Sequence, residues 1–302
     1  MIMRYEYLSQ HPNVFQKCTG LTVDQFDQVV VDVLPMYREA EANRLSRPQR
    51  QRGIGAGHPF EMEGRDHVLL TVIWLRLYPI HEVLAYLFGV SDSTVSRVIE
   101  RVLPLLEQAG RDTMRLPDPG KKRRRQLPDL LADMPELSVI VDSFEQRVQR
   151  PPNDESHYSG KKKQHTLKSQ ITVDSDTGRI VDIADSVPGP TADIRLLEQS
   201  GMLARLPEAV GIAGDLAYLK LTTLRHNGFS PRRKPRGKDR PADDVIYNRA
   251  FSQFRIVVEQ TIGQVRRFQS INATDRNHRR QHTARAVAIA GLVNRLPRFA
   301  LA

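Results

Sequence analysis

Hydrophobic spacing along this 302-residue chain changes its period once. Up to about residue 110, apolar residues recur at helical intervals. Beyond Pro135 they alternate or run in short blocks, so neither a pure helical bundle nor a uniform β fold accommodates the whole chain. The helical part opens with Thr22 and Gln25 in capping-box spacing, followed by Phe26, Val29, Val30 and Val33, and Pro35 is expected to end that helix. Residues 46–58 are rich in Arg, Gln and Gly and read as a loop. Further helices are expected over about 65–77, 80–88 and 93–106. A segment with three prolines and the run KKRRR at 121–125 then reads as a basic linker. The expected organisation is a helical domain over 1–110, a linker over 111–134 and an α/β domain over 135–302. In the last, a strand at 139–141 precedes a hairpin of 167–173 and 179–184 closed by turn residues 174–178. A helix at 192–203, a strand at 209–214, a Pro/Arg-rich loop at 231–241 and a long helix at 244–268 follow, which together predict a mixed sheet flanked by helices.

Charge narrows the partner. Lys and Arg number 45 against 35 Asp and Glu, a formal charge of +10, which favours a polyanion. The single cysteine, Cys18, excludes an internal disulfide framework and a multi-cysteine zinc module. The longest apolar run, 68–75, is far shorter than the ~20 residues that span a bilayer, and the N-terminus lacks an export signal, so a soluble, unexported protein is expected. Residues 80–106 read as a helix-turn-helix: Val83, Leu84 and Leu87 face a core, Gly89 allows the turn, and Val95, Val98, Ile99 and Val102 form one stripe. The second helix then presents Ser93, Thr94, Arg97 and Arg101 toward a DNA groove. An ordinary helical hairpin capped by Ser91 and Ser93 has the same pattern.

Three acids stand out by position. Asp142 and Asp215 each end a buried strand, and Glu259 lies at the edge of the long helix's core stripe of Phe251, Phe254, Val258, Ile262 and Val265, beside Arg255 and Arg266. Convergent carboxylates suit hard divalent cations such as Mg²⁺, and a pair of ions about 3.5–4 Å apart promotes in-line phosphoryl displacement without a side-chain nucleophile. Each acid also has a plainer reading: a turn cap for Asp142, a helix N-cap for Asp215, and an i, i+4 partner of Arg255 for Glu259. Asp193, at a helix start, is an alternative ligand or a charge that complements the helix dipole. Lys161, Lys162, Lys163, His165 and Lys168 form a basic stretch that either grips DNA phosphates or is simply solvated. The basic runs at 121–125 and 232–238 carry the same two readings.

Five segments stand in order along the chain: VDSFEQRVQRP (141–151), YSGKKKQHTLKSQ (158–170), VPGPTADIRLLEQSG (187–201), GDLAY (214–218) and NRAFSQFRIVVEQTIGQVRRF (248–268). Together they resemble the DDE transposases of the insertion-sequence five superfamily and their Harbinger relatives. Two details depart from the family pattern, Phe144-Glu145 after the first aspartate and Leu216-Ala217 before Tyr218. The resemblance implies a helix-turn-helix domain followed by a ribonuclease-H-like α/β catalytic domain. It puts Asp142, Asp215 and Glu259, separated by 73 and 44 residues, at the catalytic and metal-binding positions, with two Mg²⁺ ions or Mn²⁺ in their place. It further implies double-stranded DNA as partner, both the element's terminal inverted repeats and target DNA. Cleavage and strand transfer would proceed in a homodimer or larger assembly on DNA. The location would be the cytoplasm with the nucleoid in a bacterium, or the nucleus in a eukaryote. A silent, transposase-derived DNA-binding regulator and a host nuclease of the same fold are the competing readings.

Overall fold

The computed structural model describes residues 3–46, 62–118, 137–149 and 155–297. The runs at 47–61 and 121–125, and most of the expected linker, lie outside the described residues. The chain begins with α1 (Tyr5–Leu8), α2 (Pro12–Thr19) and α3 (Val23–Leu45), of which sequence periodicity anticipated only the third. Thr22 and Gln25 form the expected capping box. Pro35 does not end α3, which continues for ten residues beyond it. Pro35 and Val31, whose carbonyl loses its helical partner, both face solvent, so water satisfies the freed group. Pro104 is accommodated in the same way inside α6.

The helices α4 (Gly64–Leu77), α5 (His81–Phe88) and α6 (Asp92–Arg111) follow. Residues 68–75 of α4 are buried on all sides, because α2, α3 and α6 surround it. Gly89, at φ 63°, turns the chain from α5 into α6, and Ser91 caps α6 by accepting the Thr94 N–H. The helix-turn-helix is therefore present, with Leu84, Val95, Val98, Ile99 and Val102 buried and Leu87 packed against the core. Val83, however, is exposed rather than core-facing as expected, because it lies on the side of α5 turned away from the core.

The sheet is built from β1 (Leu137–Arg147), β2 (Tyr158–Ser159), β3 (Gln164–Asp174), β4 (Ile180–Ile183), β5 (Val187–Pro188), β6 (Gly211–Ala213) and β7 (Gly228–Phe229). Its order is β2-β3-β1-β6-β7, with β4 and β5 also on β3. β1 is antiparallel to β3 and parallel to β6, the mixed topology expected for a ribonuclease-H-like sheet. The expected helix at 192–203 divides into α7 (Asp193–Gln199) and α8 (Met202–Arg205) because Gly201 adopts φ 69° between them. α9 (Leu221–Leu224), α10 (Ala242–Val265), α11 (Gln269–Asn272) and α12 (His282–Val293) complete the described fold.

β1 divides two cores. Ile140 and Phe144 face a core shared with α10, α12 and the N-terminal helices. Val139 and Val141 face a smaller one containing Leu197, Met202 and Tyr218. On the first face Gln146 donates to the Ser270 and Ala273 carbonyls and accepts from His282 Nε2 at 2.8 Å, while His282 Nδ1 accepts from Ser186 at 2.7 Å. α6 and α12 cross so closely that a Cβ on Gly291 would lie 2.3 Å from the Gly110 Cα.

Two outcomes follow. In urea unfolding, Gly291→Ala should lose about 1–3 kcal/mol, although alanine ordinarily favours a helix by about 1 kcal/mol; unchanged or increased stability would contradict the tight crossing. Burial, and next the Arg285 charge, push His282 down to about 3. The unfolded histidine protonates near ~6.5, so between those values the unfolded chain takes up a proton that the folded one refuses. Stability should therefore fall by about 1 kcal/mol per pH unit as pH drops through that window. His282→Gln should flatten this slope in pH-dependent denaturation.

Candidate active site

Pleating of β1 distributes its polar side chains between the two faces. Asp142 lies on the pleat of Ile140 and Phe144, toward α10, while Ser143 faces α7 with Val141. Asp142 is not at a strand end as expected. β1 continues to Arg147 because β3 pairs with it throughout, from Val139 opposite Asp174 to Arg147 opposite Thr166. Asp142 Oδ1 accepts the Ser143 N–H at 2.7 Å, and Oδ2 accepts from Arg255 Nη2 at 2.8 Å.

On the parallel neighbour β6, Ala213 stands opposite Ile140, so Asp215, two residues on, reaches the level of Asp142. Gly214 is required there, because a Cβ would lie 2.6 Å from the Tyr218 side chain. Asp215 Oδ1 accepts the Ala217 N–H at 2.8 Å and caps the short 3-10 turn Leu216–Tyr218, as the N-cap reading expects. Burial raises the Asp142 pKa. The Arg255 charge and the Ser143 N–H oppose that rise, and the Asp215 and Asp193 charges reinforce it. The first two acids thus share one electrostatic environment.

Glu259 is placed on α10 by the expected stripe, all of it buried. Its own side chain is 63% exposed, with Oε1 4.0 Å from Arg255 Nη1, so Arg255 stands between Asp142 and Glu259. Among the described residues, no three carboxylate, imidazole or thiol groups are already gathered closely enough to hold an ion.

Behind β1, a second set of polar groups is buried. Lys168 Nζ contacts Asp193 Oδ1 at 2.9 Å and donates to the Thr191 carbonyl at 2.5 Å. Ser143 Oγ donates to Asp193 Oδ1 at 2.6 Å. Gln170 Nε2 donates to the Asp193 carbonyl and to Tyr218 Oη. Tyr218 is fully buried and held well above the usual phenol range, by burial first and then by Asp193 and Asp142, with a smaller contribution from Asp215.

In the helix-turn-helix, Ser93 and Arg97 are exposed and Thr94 is half-buried, while Arg101 lies 3.7 Å from Glu41. Lys161, Lys162 and Lys163 are exposed in the turn between β2 and β3, and His165 packs edge-on against Tyr158 with ring centroids 5.4 Å apart.

Residues 141–294 match the family model described as DDE superfamily endonuclease, and residues 62–112 match that of the helix-turn-helix of DDE superfamily endonuclease. The chain belongs to the DDE superfamily endonucleases. It is similar to the "Probable transposase for insertion sequence element IS702" of Microchaete diplosiphon, with 26% identity over 281 residues that cover 93% of each chain. No solved structure matches it.

Two features of this family member escaped sequence reasoning. Lys168 was grouped with the phosphate-gripping residues, yet it is 6% exposed and its ammonium is engaged by Asp193 and Thr191. Tyr218 and Gln170 carried no separate signal, although consecutive buried polar residues on β3 (Lys168, Ser169, Gln170) mark a strand whose two faces both need partners. Because the Arg255 charge opposes the raised Asp142 pKa, Arg255→Gln should move Asp142 titration to still higher pH in carboxyl-carbon NMR. A downward or absent shift would separate the two side chains.

Proposed function

We propose that the protein is a transposase that binds the terminal repeats of its own element, cleaves there and joins the freed end to target DNA, with Asp142, Asp215 and Glu259 as the divalent-metal ligands. The supporting observation is that Asp142, buried on β1, lies close enough to Asp215, just beyond the parallel neighbour β6, for the Asp215 charge to add to its raised pKa, at a site bordered by α10. DDE superfamily endonucleases are divalent-metal dependent. The donor set fits: all-oxygen, anionic and incomplete, it matches a hard cation that retains waters for substrate phosphates to replace. When bound, the metal supplies charge neutralisation at phosphorus and activation of the attacking oxygen.

The chain's own residues supply position. Arg255 holds the Asp142 carboxylate in place and lies beside Glu259, where it can also meet a DNA phosphate. Lys168 and Ser143 anchor Asp193, so the start of α7 is fixed behind the reacting pair. α6 offers Ser93, Thr94, Arg97 and Arg101 to the duplex, and Lys161 to Lys163 with His165 hold its backbone. Residues 1–110 are assigned to DNA recognition and 135–302 to catalysis, and two ends meeting in one complex call for at least a dimer on DNA.

The test uses duplexes carrying the element's ends with Mg²⁺ or Mn²⁺. Asp142→Ala, Asp215→Ala and Glu259→Ala should each abolish cleavage while leaving binding intact, and Lys168→Met should reduce cleavage about 10–100-fold. Arg97→Ala should weaken end binding by about 1–3 kcal/mol. Normal cleavage by any alanine variant removes that acid from the site. Binding without cleavage by the unaltered protein would identify a silent regulator instead.

A further inference from the structure

We propose that the loop Arg276-Asn277-His278-Arg279-Arg280 is a third contact for duplex DNA, continuing the backbone-binding surface from the start of α6 to the lysine turn between β2 and β3. This rests on the DNA-binding reading above and adds a surface that joins its two separate parts.

One end of the loop adjoins the helix-turn-helix. Tyr78, between α4 and α5, donates from Oη to Asp275 Oδ1 at 3.2 Å and accepts the Arg276 N–H at 2.9 Å. The Arg276 guanidinium lies 4.3 Å from the Tyr78 ring centroid, and its Nη2 donates to the Tyr78 carbonyl at 2.6 Å, yet the residue remains exposed. His81, at the start of α5, is held below its ordinary pKa by burial first and by Arg276 second, while Asp92 opposes them. Arg276 is therefore close to the N-terminal end of α5, the first helix of the helix-turn-helix.

The other end adjoins the lysine turn. Arg279 Nη1 is 3.3 Å from His157 Nδ1, and the His157 carbonyl accepts the Thr166 N–H at 2.8 Å, which ties the loop to the root of the β2–β3 hairpin. Arg280, the residue after the Arg279 anchor, is exposed.

Chemistry selects the occupant. The acid just before this segment, Asp275, is 3% exposed and bound to Arg285, so it does not neutralise the loop's outer face. Guanidiniums recognise phosphate oxygens through paired donors, and one already stacked on an aromatic ring loses little further freedom on binding. A row of cations between two DNA-facing elements suits the regularly spaced charges of a duplex backbone better than the irregular acids of a protein surface.

Fluorescence anisotropy with duplexes carrying or lacking the element's ends, titrated with salt from about 50 to 200 mM, tests the assignment. Arg280→Ala and Arg276→Ala should each make the log–log salt dependence shallower by about 0.9 on both duplexes. Arg276→Lys should restore most of that slope, because charge rather than base reading is at stake. Thermal melting must show each variant folded; Arg280→Ala, with no Tyr78 contact to lose, stands as the decisive variant if Arg276→Ala melts early. An unchanged slope and affinity for Arg280→Ala, alongside weakened binding by Arg97→Ala, would overturn the loop assignment and leave the helix-turn-helix reading intact. If the unaltered protein binds neither duplex, both readings fall. Unchanged DNA binding with altered sedimentation of the free protein would make the loop a protein interface and also overturn the proposal.

Discussion

A carboxylate on a buried central strand loses water that stabilises its charge, and at Asp142 the guanidinium of Arg255 offsets that loss. Buried charges persist in folded proteins when they are paired and hydrogen-bonded. The counter-charge arrives from a different element, so α10 must dock on one face of β1 at one rotation about its axis. Its apolar stripe sets that rotation, and the same docking places Glu259 one turn beyond Arg255, at the solvent edge of the site. Packing of α10 and electrostatics at Asp142 are thus parts of one requirement.

The opposite pleat of β1 meets a comparable demand with different groups. Ser143, Lys168, Gln170 and Asp193 bond to one another behind the strand, and Tyr218 closes the group as a neutral phenol close to three acids. These contacts leave few choices for where α7 can begin, although the buried Gln170 Oε1 has no partner among the described residues. Gly214 belongs to the same constraint, because the Tyr218 ring occupies the space a side chain would need.

The helical region and the sheet are joined by direct packing, to which the described segment after α6 adds Leu116 against the smaller core and Thr113 bonded by Asn294. Gly110 and Gly291 let α6 and α12 touch backbone to backbone, and the Tyr78–Asp275–Arg285 cluster fixes the α4–α5 corner against the segment before α12. The second helix of the helix-turn-helix, α6, is therefore mounted on the same core that supports β1.

Local spacing determined a good deal here. The capping box at Thr22, the α5–α6 pair with its glycine turn, the hairpin around 174–178 and the stripe on α10 were all legible, because each depends on residues only a few positions apart. The five ordered motifs likewise pointed to the family. What spacing misjudged were features settled by distant partners. Pro35 is tolerated inside α3 because its face of the helix is solvated, Asp142 lies within a long strand because β3 runs beside it, and Lys168 is buried because Asp193 comes back from α7 to meet it. Which acids adjoin, and which cation stands between them, depended on β6 lying parallel to β1 and on α10 crossing that face. Such contacts link residues 73 or 113 positions apart, where no periodic pattern carries information about mutual approach.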